Sequence, residues 1–309
     1  MSDTGKNTVL AIDAGGTYFK SALVDNAGGI IEGSFFADPV NSQGGKEEIT
    51  AVYGLIIRRA LGLAESSGAR LTGVGVSTPG PFDYAAGMSL MTHKFQCLKG
   101  VPLREELRRL GGLSAETQVV FTQDVRAFLA GELWTGAAKG VECSAAVTLG
   151  TGLGFGVVKD SKVLDNGKGG PPVSIFNRPY KNGILEDAVS ARGISARYKS
   201  LSGVSAAPRE IAERAAKGDA HAIKVFLETG ETLASELAGL LAEFGAKRLI
   251  FGGQISKAFG FIGPAFQERT RLSGAEIQAV PAKNIELSAL IGAAREVGIL
   301  SSRCLHLRA

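Results

Sequence analysis

Two stretches of this chain share one pattern, and that repetition limits the folds open to it. Residues 9–24, VLAIDAGGTYFKSALV, read as a strand, a turn at Ala14, Gly15, Gly16 and Thr17, and a returning strand. Residues 145–159 repeat the pattern, with the strand AAVTL, a Gly150-Thr151-Gly152 turn and the returning strand ending in GFGVVK. Each hairpin is followed later by a strand that ends at glycine. Residues 71–76 run into Ser77-Thr78-Pro79-Gly80-Pro81, and residues 247–251 run into Gly252-Gly253-Gln254. Such a duplication predicts an α/β protein of two related halves with a ligand cleft between them. A chain of 309 residues is long enough for both halves to bury a core.

The intervening segments support this reading. Residues 30–36 continue the first hairpin toward Pro39, which predicts a three-stranded antiparallel start. Ile49, Val52, Ile56, Ala60 and Leu63 then recur at three- and four-residue steps, so residues 47–67 form a helix stopped by Gly68. Pro102 opens the helix PLREELRRL, closed by Gly111-Gly112. Residues 119–122 form a short strand ending at Gln123-Asp124, and Leu233, Leu237, Leu240, Leu241 and Phe244 mark the end of a long helix.

Composition removes several function classes. Residues 144–158 carry no charge but are broken by four glycines and are too short to span a bilayer. The first ten residues lack the apolar core of a secretory signal, so the cytoplasm is the expected compartment. Cys97, Cys143 and Cys304 have no close spacing, which predicts reduced thiols rather than disulfides or a cysteine-rich metal site. The net charge of +4 is scattered. Arg58, Arg59 and residues 104–109 read as solvated helix faces, so direct nucleic-acid binding is not expected.

The first hairpin turn can cradle a phosphate. Gly15 and Gly16 permit backbone angles closed to other residues and let amide N–H groups converge on an anion, while Thr17 adds a hydroxyl and Lys20 a charge. Asp13 would repel phosphate unless a hydrated Mg2+ lay between them. A plain glycine hairpin with a capping Asp is the simpler reading of this stretch taken alone. Asp124 begins the helix-like run VRAFLAGELW, where the helix dipole favours an ionised carboxylate. It is either a general base or an ordinary N-cap. The pattern GTGLGFG leads into a strand rather than a helix, which disfavours a Rossmann dinucleotide site.

Taken together, AIDAGGTYFKSALVD, VGVSTPGPFD, QDVRAFLAGE, VTLGTGLGFGVV, GILEDAVSARG, LIFGGQISKA and ALIGAAREVG resemble the ROK family of sugar kinases and repressors, within the actin-like ATPase superfamily. The resemblance covers nearly the whole chain. It implies two ribonuclease-H-like domains hinged around ATP, with residues 1–121 and 298–309 in a smaller lobe and 122–297 in a larger one. It implies Mg2+ near Asp13 through water, and ATP phosphates on Asp13, Gly15, Gly16, Thr17 and Lys20 and on Gly150, Thr151 and Gly152. The adenosine would lie on Gly252, Gly253 and Gln254. Asp124 matches the family's catalytic base, and the sugar would meet Pro79, Gly80, His93, Lys94, Gln123, Asp124 and Glu186. A homodimer is expected by this resemblance alone.

The chain also departs from the family pattern. Gln123 and Arg126 stand where Asn is common, and Pro171 and Ser174 stand where the family has a Glu and a His that touch the sugar. The cysteine cluster that holds a structural zinc is missing around residues 177–183, so no zinc site is expected. Glu186 matches a sugar-binding Glu or is an ordinary helix-start residue. His93 and Lys94 could meet an anionic or modified sugar, or are exposed loop side chains. The expected function is an ATP-dependent hexose kinase acting on a hydroxyl, the primary one by expectation. The alternative is a sugar- or nucleotide-binding regulator with impaired catalysis. Only about a dozen residues precede Asp13, so no DNA-binding helix-turn-helix is expected ahead of it.

Overall fold

The computed structural model describes residues 6–92 and 94–306. Its contacts divide the chain into two compact units, the first comprising Met1–Thr135, Asp165–Gly170 and Leu287–Ala309, the second Gly136–Leu164 and Pro171–Glu286.

In the first unit, β1 (Lys6–Ala14) and β2 (Tyr18–Asp25) form the opening hairpin, with Asp13 opposite Lys20. β3 (Phe36–Pro39) pairs antiparallel with β2. It is shorter than expected: Ile30 makes only a single bridge to Val24. Gly33, at φ +73°, turns the chain out of strand conformation, and the Ser34 hydroxyl accepts the Leu23 N–H in place of a backbone carbonyl. Helix α1 (Lys46–Ser66) returns the chain to β4 (Ala69–Thr78), parallel to β1. A small hairpin, β5 (Phe82–Asp83) and β6 (Met88–Ser89), precedes α2 (Leu103–Gly111) and β7 (Gln118–Gln123), which pairs parallel with β4. Helix α3 (Asp124–Thr135) follows without a break. The sheet order is β3-β2-β1-β4-β7.

Strand alternation explains how this sheet is covered. Leu10, Ile12, Val74 and Val76 point toward Ile49, Tyr53, Ile56 and Ile57 of α1 in one buried cluster, while Ala11, Ala22 and Val24 pack with Leu290, Ala293 and Ala294 of the C-terminal helix Ser288–His306. The second face carries small residues because that helix lies very close. A Cβ built on Gly75 would stand 2.2 Å from the Ala293 carbonyl oxygen. The same helix meets α3 through glycines on both sides, with Gly131 against Ser288 and Gly292 against Ala127. Fully buried Glu132 accepts the Ser288 hydroxyl at 2.5 Å. These approaches group α3 and the chain from Leu287 with the first sheet.

The second unit repeats the plan. β8 (Cys143–Leu149), β9 (Leu153–Lys159) and β10 (Lys162–Val163) are successive antiparallel strands. A short hairpin, β11 (Pro179–Tyr180) and β12 (Gly183–Ile184), leads into α4 (Leu185–Val189), α5 (Ala191–Ser202), α6 (Pro208–Ala216) and the long α7 (Ala220–Phe244). Then β13 (Arg248–Gly252), α8 (Phe259–Leu272) and β14 (Gln278–Pro281) complete a sheet of order β10-β9-β8-β13-β14. Strand for strand this matches the first sheet, including the two parallel partners on one side. Its core joins Val147, Leu149 and Phe155 to Leu233 and Leu237 of α7, and Phe251 meets Phe266 edge to face at 5.4 Å.

Several arginines read as solvated faces are spent on structure. Arg58 donates to the Leu110 carbonyl at 2.7 Å, Arg59 pairs with Asp38, and Arg104 donates to the carbonyls of Val119, Ala85 and Tyr84. Among the described residues, no helix is long and apolar enough to cross a membrane, and no group of three or more His, Cys, Asp or Glu side chains is placed to hold a metal.

Candidate functional site

In the first unit, the turn between β1 and β2 leaves Gly15 and Gly16 half-buried and Thr17 exposed. Neither glycine has a positive φ. The left-handed backbone expected here is therefore absent, and close approach explains the glycine instead: a Cβ on Gly15 would lie 2.7 Å from the Tyr18 carbonyl oxygen. At Gly16 the neighbour is the stem of Lys94, whose Cε would be 3.7 Å from a Cβ there. Asp13, at the end of β1, accepts the Ser77 hydroxyl at 2.9 Å from the neighbouring end of β4. Just beyond lie Thr78, Pro79 and Gly80, the last joined to Pro81 by a cis peptide.

Asp124 stands where β7 passes directly into α3. Its Oδ1 accepts the Val125 N–H at 2.8 Å and the Gln123 side-chain amide at 2.7 Å. Burial pushes the carboxyl up to about 6, opposed by the Val125 amide, raised further by the charge of Asp13, and lowered again by Lys94. The helix N-terminus was expected to favour ionisation, but loss of water outweighs it. A midpoint near 6 leaves the carboxylate ionised at neutral pH while keeping it more basic than an exposed Asp, which suits a group that accepts a proton.

Tyr84 also belongs to this neighbourhood. Its hydroxyl is held far above its usual range, first by burial and then by the Asp124 charge, with Arg126 opposing, so it remains protonated. Arg104 fixes the backbone of that turn through the Tyr84 and Ala85 carbonyls. Arg126 is anchored by Asp165 at 2.7 Å and Glu296 at 3.4 Å. Sequence reasoning missed Ser77, Tyr84 and the Arg126 partners. Ser77 and Tyr84 sit within the motif VGVSTPGPFD and its next residue, which was their only signal. The Arg126 partners lie 39 and 170 residues away. His93 lies outside the described residues.

In the second unit, the Gly150-Thr151-Gly152 turn joins β8 to β9, with Thr151 exposed. Glu186, in the first turn of α4, reaches this turn: its Oε2 accepts the Leu153 N–H at 2.9 Å, and its Oε1 receives Arg192 at 3.2 Å. A Cβ on Gly152 would lie 2.9 Å from the same Oε2. Gly252 and Gly253 end β13. Gly253 has φ +80°, and a Cβ there would stand 2.3 Å from the Leu149 carbonyl oxygen. This position therefore demands glycine both by conformation and by its contact with the end of β8. Gln254 donates to Glu286 at 2.8 Å, beside the Lys257–Glu286 ion pair. Ser174 bonds Asn177 at 3.1 Å.

These residues fit Mg2+ and a nucleotide. Asp13 stands at the end of β1 next to the turn, where a hydrated Mg2+ could lie between its carboxylate and phosphate oxygens. Each unit also brings a tight turn to the end of its antiparallel strand pair, and backbone amides of such turns can receive phosphate oxygens.

Known proteins resemble this chain along most of its length. The ROK family model matches residues 9–297. A glucokinase of Thermotoga maritima is 30% identical over 277 residues, covering 82% of this chain and 84% of that protein. An N-acetylmannosamine kinase of Citrobacter koseri is 26% identical, covering 82% of this chain and 86% of its own length. The crystal structure of a ROK family glucokinase from Streptomyces griseus, in complex with glucose and AMPPNP, superposes with a TM-score of 0.71 at 23% identity, over 94% of this chain and 98% of that one. The duplicated five-stranded sheets are thus those of the actin-like ATPase fold, and the chain belongs to the ROK family.

Proposed function

We propose that this protein is a sugar kinase that transfers the terminal phosphate of Mg-bound ATP to a hydroxyl of a hexose or hexose derivative, with Asp124 as the general base. The observation that carries the proposal is the Asp124 carboxylate at the junction of β7 and α3, held by Gln123 and Val125 and made more basic by loss of water. The relatives named glucokinase and N-acetylmannosamine kinase support the substrate class.

Asp124 takes the proton of the attacking hydroxyl as that oxygen forms its bond to phosphorus. The bond from phosphorus to the bridging oxygen breaks, and its electron pair leaves with the diphosphate. Mg2+, held near Asp13 through water, would neutralise phosphate charge. Gly15, Gly16, Thr17 and Lys20 in the first unit, and Gly150, Thr151 and Gly152 in the second, receive phosphate oxygens. Gly252, Gly253 and Gln254 receive the adenosine. Pro79, Gly80 and Lys94 contact the acceptor, and Glu186 orients the second phosphate turn through Leu153 as well as facing the sugar. Lys94 also lowers the Asp124 midpoint.

ADP release with Mg-ATP across neutral, N-acetylated and acidic hexoses tests the proposal, and turnover that depends on one sugar class is expected. Binding of ATP or a sugar without turnover would instead favour a regulatory protein, a reading supported by Pro171 and Ser174 at the altered sugar positions. A second expectation concerns Lys94→Met. Removing the cation beside Asp124 raises the pH at which kcat/KM falls and lowers kcat/KM at pH 6 by about threefold to tenfold. Kinetics unchanged across pH 5–8 would remove Lys94 from the site.

A further inference from the structure

Both ends of the Gln123 side chain are committed. Its Oε1 accepts the Arg126 N–H at 3.0 Å, and its Nε2 donates to Asp124 Oδ1 at 2.7 Å. A backbone amide can only donate, so the amide oxygen must face Arg126, and the NH2 end is thereby directed at the carboxylate. Arg126 is the third residue of α3, whose N–H has no partner inside the helix. Gln123 supplies that partner from the position of an N-cap.

Asp124 Oδ1 therefore receives two donors, from Gln123 and Val125. Both of these donors fall on Oδ1 rather than on Oδ2. The first turn of α3 is further pinned by the Arg126 guanidinium through Asp165 and Glu296. We propose that Gln123 is a positioning residue, which caps α3 and clamps Oδ1 so that Oδ2 is the oxygen that takes the hydroxyl proton. This rests on the kinase reading above and replaces the sugar contact that resemblance assigns to Gln123.

The charged and titratable groups around Asp124 are Asp13 from β1, Lys94 from the segment before α2, Tyr84 from the turn after β5, and Arg126 on α3 itself. None of them lies on the Gln123 side chain, so each is still present when Gln123 is changed. Gln123→Glu keeps the length and the acceptor for Arg126, so the cap survives, but sets an oxygen against Oδ1 where the donor was. Gln123→Met removes both cap and donor.

The test is a 13C titration of the Asp124 carboxyl, assigned by its loss in Asp124→Asn, alongside kcat/KM against pH. In Gln123→Glu the carboxyl midpoint and the acid limb are expected to rise together by more than one pH unit. A smaller rise is expected in Gln123→Met. At pH 7, kcat should fall about tenfold or more in Gln123→Glu, with the sugar KM changed less than threefold. An unmoved titration with a raised sugar KM would overturn the clamp and restore the sugar contact. A moved titration in a protein whose wild type phosphorylates no sugar would overturn the kinase reading and leave Gln123 as a helix cap only.

Discussion

Asp124→Asn is expected to lower kcat by about 10²–10⁴ while making the protein more stable above pH 6. The substituted side chain keeps its size, and its oxygen still accepts from Val125 and Gln123, so the fold and ligand binding should survive. What is lost is the ability to take a proton. The stability gain follows from the same burial. The folded carboxyl titrates near 6 against an ordinary value of 3.8, so between those limits the folded state holds more protons than the unfolded one, and wild-type stability declines as pH rises through the interval. A shift of that size corresponds to about 3 kcal/mol, reduced to about 1–2 kcal/mol by partial access to water. The variant carries no such penalty. Denaturant unfolding should therefore show it about 1–2 kcal/mol more stable than wild type at pH 8 and equal to it at pH 4. A variant less stable than wild type at pH 8 would mean that the carboxylate is not desolvated.

Gly292→Ala is expected to destabilise the first unit by about 3 kcal/mol or more, at the upper end of overpacking effects. The added Cβ would lie 1.7 Å from the Ala127 carbonyl oxygen, a backbone atom inside α3 that no rotamer change can move. Relief requires the two helices to separate, and Gly131 against Ser288 shows that their crossing is tight on both sides. Asp124 begins the helix that would be displaced, so activity should fall with stability. Urea unfolding of Gly292→Ala, compared with an alanine at exposed Gly62, where nothing lies within 4 Å, isolates the contact from the general effect of replacing glycine in a helix.

The pairing plan was legible because it depends on local pattern. The two glycine-threonine hairpins, the helix stripe from Ile49 to Ala60, and the strand ending at Gln123-Asp124 are all short-range signals, and each lies where its periodicity placed it. Packing was less legible. Gly75, Gly131 and Gly292 are small because helices approach a sheet or each other, and each partner is distant in sequence. The same holds for Arg126, whose partners Asp165 and Glu296 belong to other segments of the unit, and for Arg104, which holds the Tyr84 turn rather than facing water. Asp124 could be picked out from its motif and its helix-start position. Its elevated midpoint could not, because that depends on how much water the fold removes.

The kinase proposal is tested most directly by following the label from ATP carrying 32P at its terminal phosphate, with Mg2+ and each hexose in turn. Transfer into a sugar phosphate by the wild type, absent in Asp124→Asn, is the predicted result. Label that stays in ATP, or appears only as inorganic phosphate, with every sugar supplied would contradict it.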